Sequence, residues 1–508
     1  MRVSRRKFLQ AGSAALVGLS VKGERPIGGS FVNDSFPLGH QLRDRGSFPA
    51  VRQIEKHSVA IVGGGIAGLS AAWRLHKRGF TDFILLEMNE QPGGNSRWGQ
   101  NEITAYPWAA HYVPVPGPKA TYVRELFEEL EVLKNGEWNE RFLCFAPQER
   151  LFLYGKWQEG IEPALGLADK DREQFRRLED SIHAFRETGG FTVPMERGLS
   201  SKQAELDRIS FQDWLRAQRM DSRILNWYLD YCCRDDYGSL TSETSAWGGI
   251  HYFASREPEE KGPLTWPEGN GWIVKKLLER VGSCVRAGKM VHRIQRRKHD
   301  LSVFCGDTEH KAQFVIFAAP TFLAPYIVEG MPRLHDFEYS PWLTANLTLD
   351  HIPATYGSDP TWDNVVMGSP ALGYVDAMHQ TLQSRVERTL WTFYWALADG
   401  TPADNRRLLL EKDWAYWKEA ILHDLERVHP DIRRCVSRID VMRFGHAMAR
   451  PKPGAIFSRE RRYLANLNGR LLFANSDLSG FSIFEEAQYR GVQAAEKVLA
   501  TVAGHLDS

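Results

Sequence analysis

The sequence lacks long hydrophobic runs, a surplus of charge of either sign, and closely spaced cysteines. Its 508 residues carry 64 basic and 63 acidic side chains, so composition gives no reason to expect nucleic acid as a partner. The six cysteines show no Cys-x-x-Cys spacing, and we therefore expect buried thiols and no metal site. Beyond the first 21 residues, no uncharged stretch reaches membrane-spanning length. The length suits two or three domains.

The first 21 residues form a pattern of their own. Ser4, Arg5 and Arg6 are followed by Phe8 and Leu9, and then by the uncharged residues 11–21. This pattern predicts a twin-arginine export signal over residues 1–21, with the twin-arginine translocase as a partner and a periplasmic or otherwise exported location. No Ala-x-Ala site follows, so a cleaved signal and a retained membrane tether both remain open.

A glycine-rich segment follows residues 22–56, which we interpret as an N-terminal arm. Residues 58–62 predict a buried strand, and residues 69–75 begin a helical pattern. Between them, glycines in a Gly-x-Gly-x-x-Gly pattern permit a tight turn and close approach to a pyrophosphate, which would face the free N–H groups of the helix start. The segment predicts a dinucleotide phosphate loop made by Gly63, Gly65, Ile66, Ala67 and Gly68.

An acidic residue and a second glycine pair follow the loop. Residues 83–86 predict a strand that ends at Glu87, where a carboxylate accepts hydrogen bonds from ribose hydroxyls and disfavours the 2′-phosphate of NADP. Gly93, Gly94 and Asn95 would bring backbone to the pyrophosphate a second time, and Arg97 would add a charge-assisted contact.

Together with the C-terminal segment, these motifs resemble those of the flavin-containing amine oxidoreductase superfamily. Residues 469–477 read as a strand leading to an acid, and residues 485–495 begin a closing helix. The resemblance implies FAD as cofactor, with Asp477 holding the ribitol or pyrophosphate. It further implies that the N–H groups near Phe484 and Glu485 face flavin N1 and O2, and that a middle strand containing Val291 meets the adenine.

The dinucleotide signals are separated along the chain, which predicts an interleaved architecture. We expect an α/β fold in which a Rossmann-like FAD-binding domain is interleaved with an inserted α+β substrate domain. The expected boundaries are 57–115, 284–330 and 446–508 for the FAD-binding domain, and 116–283 and 331–445 for the substrate domain.

Two departures from the superfamily bear on chemistry. Members that attach flavin covalently carry a cysteine before the C-terminal motif, whereas residues 447–454 contain none, so we expect non-covalent FAD. Many amine oxidases place a lysine below flavin N5, where the alignment puts Thr344. Its absence favours an acceptor other than oxygen, although oxygen and a redox partner both remain open. His446, just before the C-terminal loop, is a candidate base or orienting group, or an ordinary core or surface histidine.

Two segments with aromatic and acidic side chains bear on the substrate. Residues 228–237 and 247–253 combine aromatic and acidic side chains, which suits a cationic amine, although a packed helix with a solvated end has the same pattern. Our first hypothesis is hydride transfer from an amine or polyamine C–H to flavin N5, near His446, Thr344 and Phe484. The alternatives are a desaturase or dehydrogenase of a polyene or porphyrinogen, and a non-catalytic FAD-binding protein.

Overall fold

The computed structural model describes residues 26–32, 35–256, 262–381 and 386–506. The predicted export signal, residues 1–21, lies outside these residues. Within the described ranges, no helix combines the length and the apolar character needed to cross a membrane.

Helices and strands are distributed over the whole described chain. The helices are α1 (Phe36–Arg43), α2 (Ile66–Lys77), α3 (Thr121–Glu129), α4 (Asp169–Glu187), α5 (Ala204–Arg208), α6 (Phe211–Ala217), α7 (Arg223–Tyr237), α8 (Ala246–Ala254), α9 (Gly271–Val281), α10 (Ala324–Ile327), α11 (Pro402–Glu411), α12 (Trp414–Glu426), α13 (Ile432–Cys435), α14 (Arg459–Ala465) and α15 (Phe484–Leu506). The strands are β1 (Gln53–Val62), β2 (Phe83–Leu86), β3 (Trp98–Gln100), β4 (Ala105–Pro107), β5 (Tyr112–Val113), β6 (Leu133–Lys134), β7 (Glu137–Trp138), β8 (Glu149–Leu153), β9 (Lys156–Glu159), β10 (Leu264–Thr265), β11 (Val285–Arg286), β12 (Val291–Arg296), β13 (Leu301–Cys305), β14 (Thr308–Phe317), β15 (Tyr339–Leu349), β16 (Asp363–Val366), β17 (Gly373–Asp376), β18 (Thr389–Ala396), β19 (Val436–Ala449) and β20 (Leu471–Phe473).

The first large sheet carries the dinucleotide motifs. Its strand order is β11-β2-β1-β14-β13-β12, with β20 also paired to β14. β1 runs parallel to β2 and β14, so that Val59 faces Phe83 on one side and Phe314 on the other. Alternate β1 residues enter opposite cores: Ile61 packs on the side of α2, α3, α9 and α15, and Ala60 packs on the other side. Helices and loops on both faces of a largely parallel sheet make a Rossmann-like unit.

The second large sheet is built from the intervening segments. Its order is β19-β15-β18-β17-β16-β8-β9. One face packs against helices α4 to α8, and the other packs against α11 to α13. Because the strands of the two sheets alternate along the chain, the predicted interleaved α/β fold is confirmed.

Two stretches of the sequence with helical apolar periodicity, residues 211–233 and 404–428, are each divided in the structure. The first becomes α6 and α7, because Arg219 has a left-handed backbone conformation (φ +55°) and Ser222 begins α7 as its N-cap. The pattern over 404–428 becomes α11 and α12, because the Asp413 side chain accepts a hydrogen bond from the Tyr416 N–H and so begins a new helix. Apolar periodicity continues across both breaks, so capping decides these boundaries.

The N-terminal arm is more structured than its composition indicated. Gly28 N–H donates to the Ser437 carbonyl and Val32 N–H donates to the Val441 carbonyl, so the arm lies along β19. It then forms α1, and β1 begins at Gln53 rather than at the expected residue 58. β19 itself, 14 residues long, was not recognised from the sequence.

Glycine permits the closest helix contact of the first unit, between α15 and α2. A Cβ on Gly491 would lie 2.0 Å from the Ala67 carbonyl oxygen. We therefore expect Gly491→Ala to lower the free energy of unfolding by about 2 kcal/mol or more, because the helices must separate. Chemical denaturation of both proteins measures this loss.

Gly282→Ala is the matched control, because no atom lies within 4 Å of its added Cβ. It should change stability by less than about 0.5 kcal/mol. Equal effects of the two substitutions would contradict the packing argument.

Candidate functional site

A large cavity opens where the parallel strands of the first sheet end. It encloses about 570 Å³, a size usual for cofactor pockets. Ligands of open α/β sheets bind at this carboxyl edge. The predicted site residues that line the cavity are Gly63, Gly65, Ile66, Ala67, Glu87, Gly93, Gly94, Asn95, Arg97, Val291, His446 and Phe484. Gly68, Thr344, Asp477 and Glu485 are not among its lining residues.

The two glycine segments pack backbone against backbone. Gly63 has φ +105°, and a Cβ there would lie 2.8 Å from Ala319 N. Gly93 N–H donates to the Gly64 carbonyl at 2.8 Å. Gly68 faces the strand instead of the cavity, since its added Cβ would lie 1.9 Å from the Gly63 carbonyl oxygen. Its role is therefore to let α2 approach β1.

Glu87 holds the phosphate loop from the end of β2. Its Oε2 accepts a hydrogen bond from Gly64 N–H at 2.7 Å, and its Oε1 accepts from the backbone and side chain of Asn89 at 2.8 and 2.7 Å. Oε1 thereby uses both of its lone pairs, whereas Oε2 keeps one. Glu87 can therefore fix the loop and still accept one hydrogen bond from a ribose hydroxyl in the cavity.

Arg97 is the residue whose surroundings fit an anionic ligand. Its side chain is buried, its Nε donates to the Gly94 carbonyl at 3.0 Å, and a terminal nitrogen lies 3.6 Å from the weak acceptor Met442 Sδ. It makes no ion pair with any described residue, and burial lowers its pKa. An uncompensated buried guanidinium is costly unless an anion completes it, and a pyrophosphate supplies that charge in bidentate form.

The structure does not place Asp477 at the cavity. Its carboxylate is buried and accepts hydrogen bonds from the Thr321 N–H and hydroxyl and from the Tyr339 hydroxyl, at 2.7, 2.5 and 2.5 Å. Asn475 and Ser476 line the cavity instead. Asp477 therefore ties the loop after β14 to β15, because a tight 3-10 turn after β20 directs it inward.

The start of α15 divides its first two residues between different surroundings. Phe484 lines the large cavity and stacks on Phe127 with ring centroids 6.0 Å apart. The Glu485 side chain lines a separate small cavity of about 40 Å³ with Asp236 and Arg256. Burial raises the pKa of Glu485 to about 8, so its carboxyl is largely protonated at pH 7. The N–H groups of this first turn are the unpaired donors of a helix start.

The two other candidate catalytic residues, His446 and Thr344, differ in their position relative to the cavity. His446 lines the cavity and stacks on Phe322 at 4.2 Å. Desolvation, with smaller contributions from Arg406 and His40, lowers its pKa to about 3, so the imidazole is neutral and a weak base. Thr344 is buried in β15 and is not brought to the cavity wall. Its hydroxyl has no hydrogen-bond partner among the described residues.

Three carboxyl groups from distant segments lie near one another, and we call Glu149, Asp235 and Asp363 the acidic cluster. Glu149 and Asp363 are direct partners on the parallel strands β8 and β16. Burial raises the pKa of Asp363 well above its usual value, and Asp235 and Glu149 raise it further. Burial, then repulsion by Asp236 and Glu149, raises the pKa of Asp235 to about 7. No local sequence pattern connects these three positions.

Three aromatic rings lie near the acidic cluster and near a segment that lines the large cavity, and we call His111, Trp362 and Tyr394 the aromatic wall. The His111 ring lies 4.6 Å from Tyr394 and 5.3 Å from Trp362. The Tyr394 hydroxyl donates to the Ala109 carbonyl at 3.0 Å, and the adjacent Ala110 lines the cavity. The pKa of Tyr394 is raised by burial and by Asp363 and Asp235, which shows that these acids act on this ring. Sequence reasoning named the segment 228–237, which contains Asp235, but not its partners Glu149 and Asp363 or the rings of Tyr394 and Trp362.

His111 is neutral and has one ring nitrogen engaged. Its Nδ1 lies 3.3 Å from the Ala109 carbonyl oxygen, which can only accept, so that Nδ1 carries the hydrogen and Nε2 the lone pair. Burial lowers its pKa to about 4. His111 is therefore an acceptor beside the cavity wall at pH 7.

Comparisons with known proteins agree with this architecture. Residues 61–130 match the family described as NAD(P)-binding Rossmann-like domain. A Baeyer-Villiger monooxygenase from Penicillium patulum is 39% identical over 83 residues, which are 15% of this chain and only 13% of that protein. A structure of putrescine oxidase bound to putrescine matches 88% of this chain and 100% of its own, with TM-score 0.66 and 17% identity.

Two further solved structures share the fold. Cyclohexylamine oxidase from Brevibacterium oxydans matches 88% of this chain and 99% of its own, with TM-score 0.66 and 16% identity. A CLA-producing fatty acid isomerase from P. acnes matches 87% of this chain and 98% of its own, with TM-score 0.59 and 12% identity. The chain has the amine oxidase fold. The expected resemblance is thereby confirmed for the fold, which also accommodates an isomerase of an apolar substrate.

Arg97 provides a direct test of the cofactor site in this amine oxidase fold. Arg97→Met keeps an unbranched side chain but removes the charge. We expect FAD affinity to fall by about tenfold to a hundredfold, because a charge-assisted hydrogen bond contributes about 1.5–3 kcal/mol. Titration of the flavin-free protein with FAD measures the change.

The exposed Arg141 gives the matched control, Arg141→Met, which should bind FAD as the unchanged protein does. Unaltered affinity in Arg97→Met, with the same denaturation temperature, would show that Arg97 does not contact the phosphates.

Proposed function

We propose that the protein is an exported FAD-dependent oxidoreductase that oxidises an amine or polyamine. The acidic cluster would hold either the amine that is oxidised or a second ammonium group of the same substrate. The observation that carries the substrate class is the group of Glu149, Asp235 and Asp363 near the aromatic wall. The export part rests on the N-terminal pattern alone.

The cavity supports FAD held without a covalent bond. The unpaired Arg97 and the glycine-only contacts fit a pyrophosphate, and Glu87 fits a ribose. No cysteine is among the described residues that line the cavity, so no thiol is placed to attach a flavin.

The acidic cluster supports a cationic substrate by its charge. Close carboxyl groups out of water repel each other, so that part of the cluster holds protons near neutral pH. An ammonium group relieves this repulsion and replaces those protons. The rings of Tyr394 and Trp362 add favourable faces for a cation. A neutral polyene gains nothing from these charges.

Each residue around the substrate then has a physical role. Bound FAD would supply the acceptor for a hydride. The hydrogen would depart from the carbon next to nitrogen with both electrons of its C–H bond, and the nitrogen lone pair would form the C=N bond of an iminium. The neutral His111 Nε2 can accept a hydrogen bond from the amine N–H and so orient it. His446, with its pKa lowered to about 3, is suited to orienting and not to proton abstraction. The aromatic wall keeps water from the reacting carbon.

The acceptor of the electrons is part of the same proposal. Thr344 occupies the strand where many amine oxidases carry lysine, and it is an uncharged, buried side chain. Because the structure places Thr344 away from the cavity wall, the choice of a dehydrogenase with a redox partner over an oxygen-using oxidase rests on the resemblance alone.

Amine recognition is tested with the double variant Asp235→Asn/Asp363→Asn. For an amine or diamine that bleaches the flavin of the unchanged protein, we expect the affinity of the variant to fall by about tenfold or more, because two charge contacts are lost. Anaerobic flavin bleaching, followed over a range of amine concentrations, measures this. Asp359→Asn, at an exposed position, is the control and should behave like the unchanged protein.

If polyenes or porphyrinogens bleach the flavin and amines do not, the apolar alternative replaces this proposal. If no compound from a broad panel bleaches it, the non-catalytic alternative stands.

The raised pKa of Asp235, about 7, predicts a pH dependence of cation binding. Below pH 7 the group is mainly neutral, and above pH 7 it is mainly charged. The affinity for tetramethylammonium, whose charge does not titrate, should therefore rise between pH 6 and pH 8 by about threefold to tenfold. Perturbation of the flavin spectrum measures binding.

The rise should disappear in Asp235→Asn. An affinity for tetramethylammonium that falls as the pH rises, or a rise that persists in Asp235→Asn, would contradict the role of Asp235 in cation binding.

Export is tested with Arg5→Lys/Arg6→Lys in the full chain. The paired arginines define a twin-arginine signal, so the variant should accumulate in the cytoplasmic fraction of a host with that route. Arg2→Lys is the matched control and should leave export unchanged. Equal distribution of all three proteins would reject the export proposal.

A further inference from the structure

Two histidines and a glutamate converge at the far end of β1 from the cavity. Glu55 and His57 are two residues apart on β1 and share a face, and His310 lies on β14 directly opposite Glu55. His57 Nε2 lies 3.3 Å from Glu55 Oε2 and 3.4 Å from His310 Nδ1, and His310 Nδ1 lies 3.5 Å from Glu55 Oε2.

These three atoms form a nearly equilateral triangle. A point equidistant from three atoms separated by 3.3, 3.4 and 3.5 Å lies about 2.0 Å from each. Zinc binds imidazole nitrogen at about 2.0–2.1 Å and carboxylate oxygen at about 2.0–2.2 Å. An ion slightly out of the plane of the triangle therefore meets all three at normal bond lengths, with tetrahedral angles.

Hydrogen bonding alone explains the triangle less well. The single atom His57 Nε2 faces both other atoms. A ring nitrogen has one in-plane lone pair or one hydrogen, so it cannot form good hydrogen bonds in two directions. One ion at the centre satisfies all three groups at once.

We propose that Glu55, His57 and His310 bind one zinc-like divalent transition-metal ion. Three protein ligands leave a fourth position for water, and the Glu55 side chain, 48% exposed, leaves the site open to solvent. Two imidazoles and one carboxylate are the ligand set of open zinc sites, and they disfavour calcium and magnesium, which take oxygen ligands.

Charged groups of both signs surround His310. Glu55 acts on it with negative charge, and Lys289 and Arg286 act on it with positive charge. Because the two cations oppose a further positive charge, the ion would be held by its bonds to the three ligands.

The site is separate from the cavity. None of the three ligands lines it, and His57 and Gly63 lie at opposite ends of the buried part of β1, about 20 Å apart at the rise of a strand. The expectation of no metal came from cysteine spacing, which does not bear on histidine and glutamate ligands.

Calorimetric titration of the flavin-loaded, tag-free protein with zinc chloride at pH 7.5 tests the proposal. We expect one equivalent to bind. Glu55→Gln and His57→Ala should each weaken binding by about tenfold or more, because each loses one of three bonds. His299→Ala, at an exposed histidine, is the matched control and should bind zinc unchanged.

Denaturation temperatures and flavin spectra of the variants distinguish a loss of zinc binding from a loss of folding. Glu55 is at the surface, so Glu55→Gln should keep the denaturation temperature of the metal-free protein and its flavin spectrum. Zinc should raise the denaturation temperature of the unchanged protein and not that of His57→Ala. Absence of zinc binding, unaltered binding in both variants, or preference for magnesium over zinc would overturn the proposal.

Discussion

The close approach of backbone segments at the end of β1 is the constraint on which the cofactor site depends. Gly63, Gly64 and Gly68 each stand where a Cβ would lie within 3.0 Å of another atom. Because these contacts hold α2 against β1 and the second glycine loop against the first, they also set the positions of Glu87 and Arg97. Larger residues would separate the segments, and the charges around the cavity would no longer face one ligand.

The charges around the site then indicate what it binds. Arg97 is buried and makes no ion pair with a described residue, although Glu87 acts on it without direct contact. The acidic cluster brings several carboxyls together, with Arg256 and Arg234 acting on Asp235. Both arrangements cost free energy in the unliganded protein. The guanidinium of Arg97 and the carboxyls of the acidic cluster carry charges of opposite sign. A ligand pair that is anionic beside Arg97 and cationic beside the acidic cluster offsets both, and a dinucleotide with an amine substrate has that distribution.

Local and non-local features of this site differ in how far the sequence predicts them. The glycine loop was predictable because its function requires one residue type at fixed spacing within a few positions. Asp477 was assigned from the same kind of motif, yet a single turn directs its neighbour Ser476 to the cavity. For the acidic cluster the sequence indicated only the segment that contains Asp235, since Glu149 and Asp363 lie on two strands that only the tertiary fold brings to that helix.

The early start of β1 explains both a missed prediction and a structural feature. The extension over residues 53–57 pairs with β14, while β2 joins β1 only from Val59 onward. Its side chains are largely exposed, so apolar periodicity gave no signal there. Over these residues β1 is the edge strand of a sheet that continues through β14 to β13 and β12. An ion shared by Glu55, His57 and His310 would link β1 to β14 across their direct pairing. A metal at this position therefore orders the outer end of the sheet, and catalysis at the inner end does not require it.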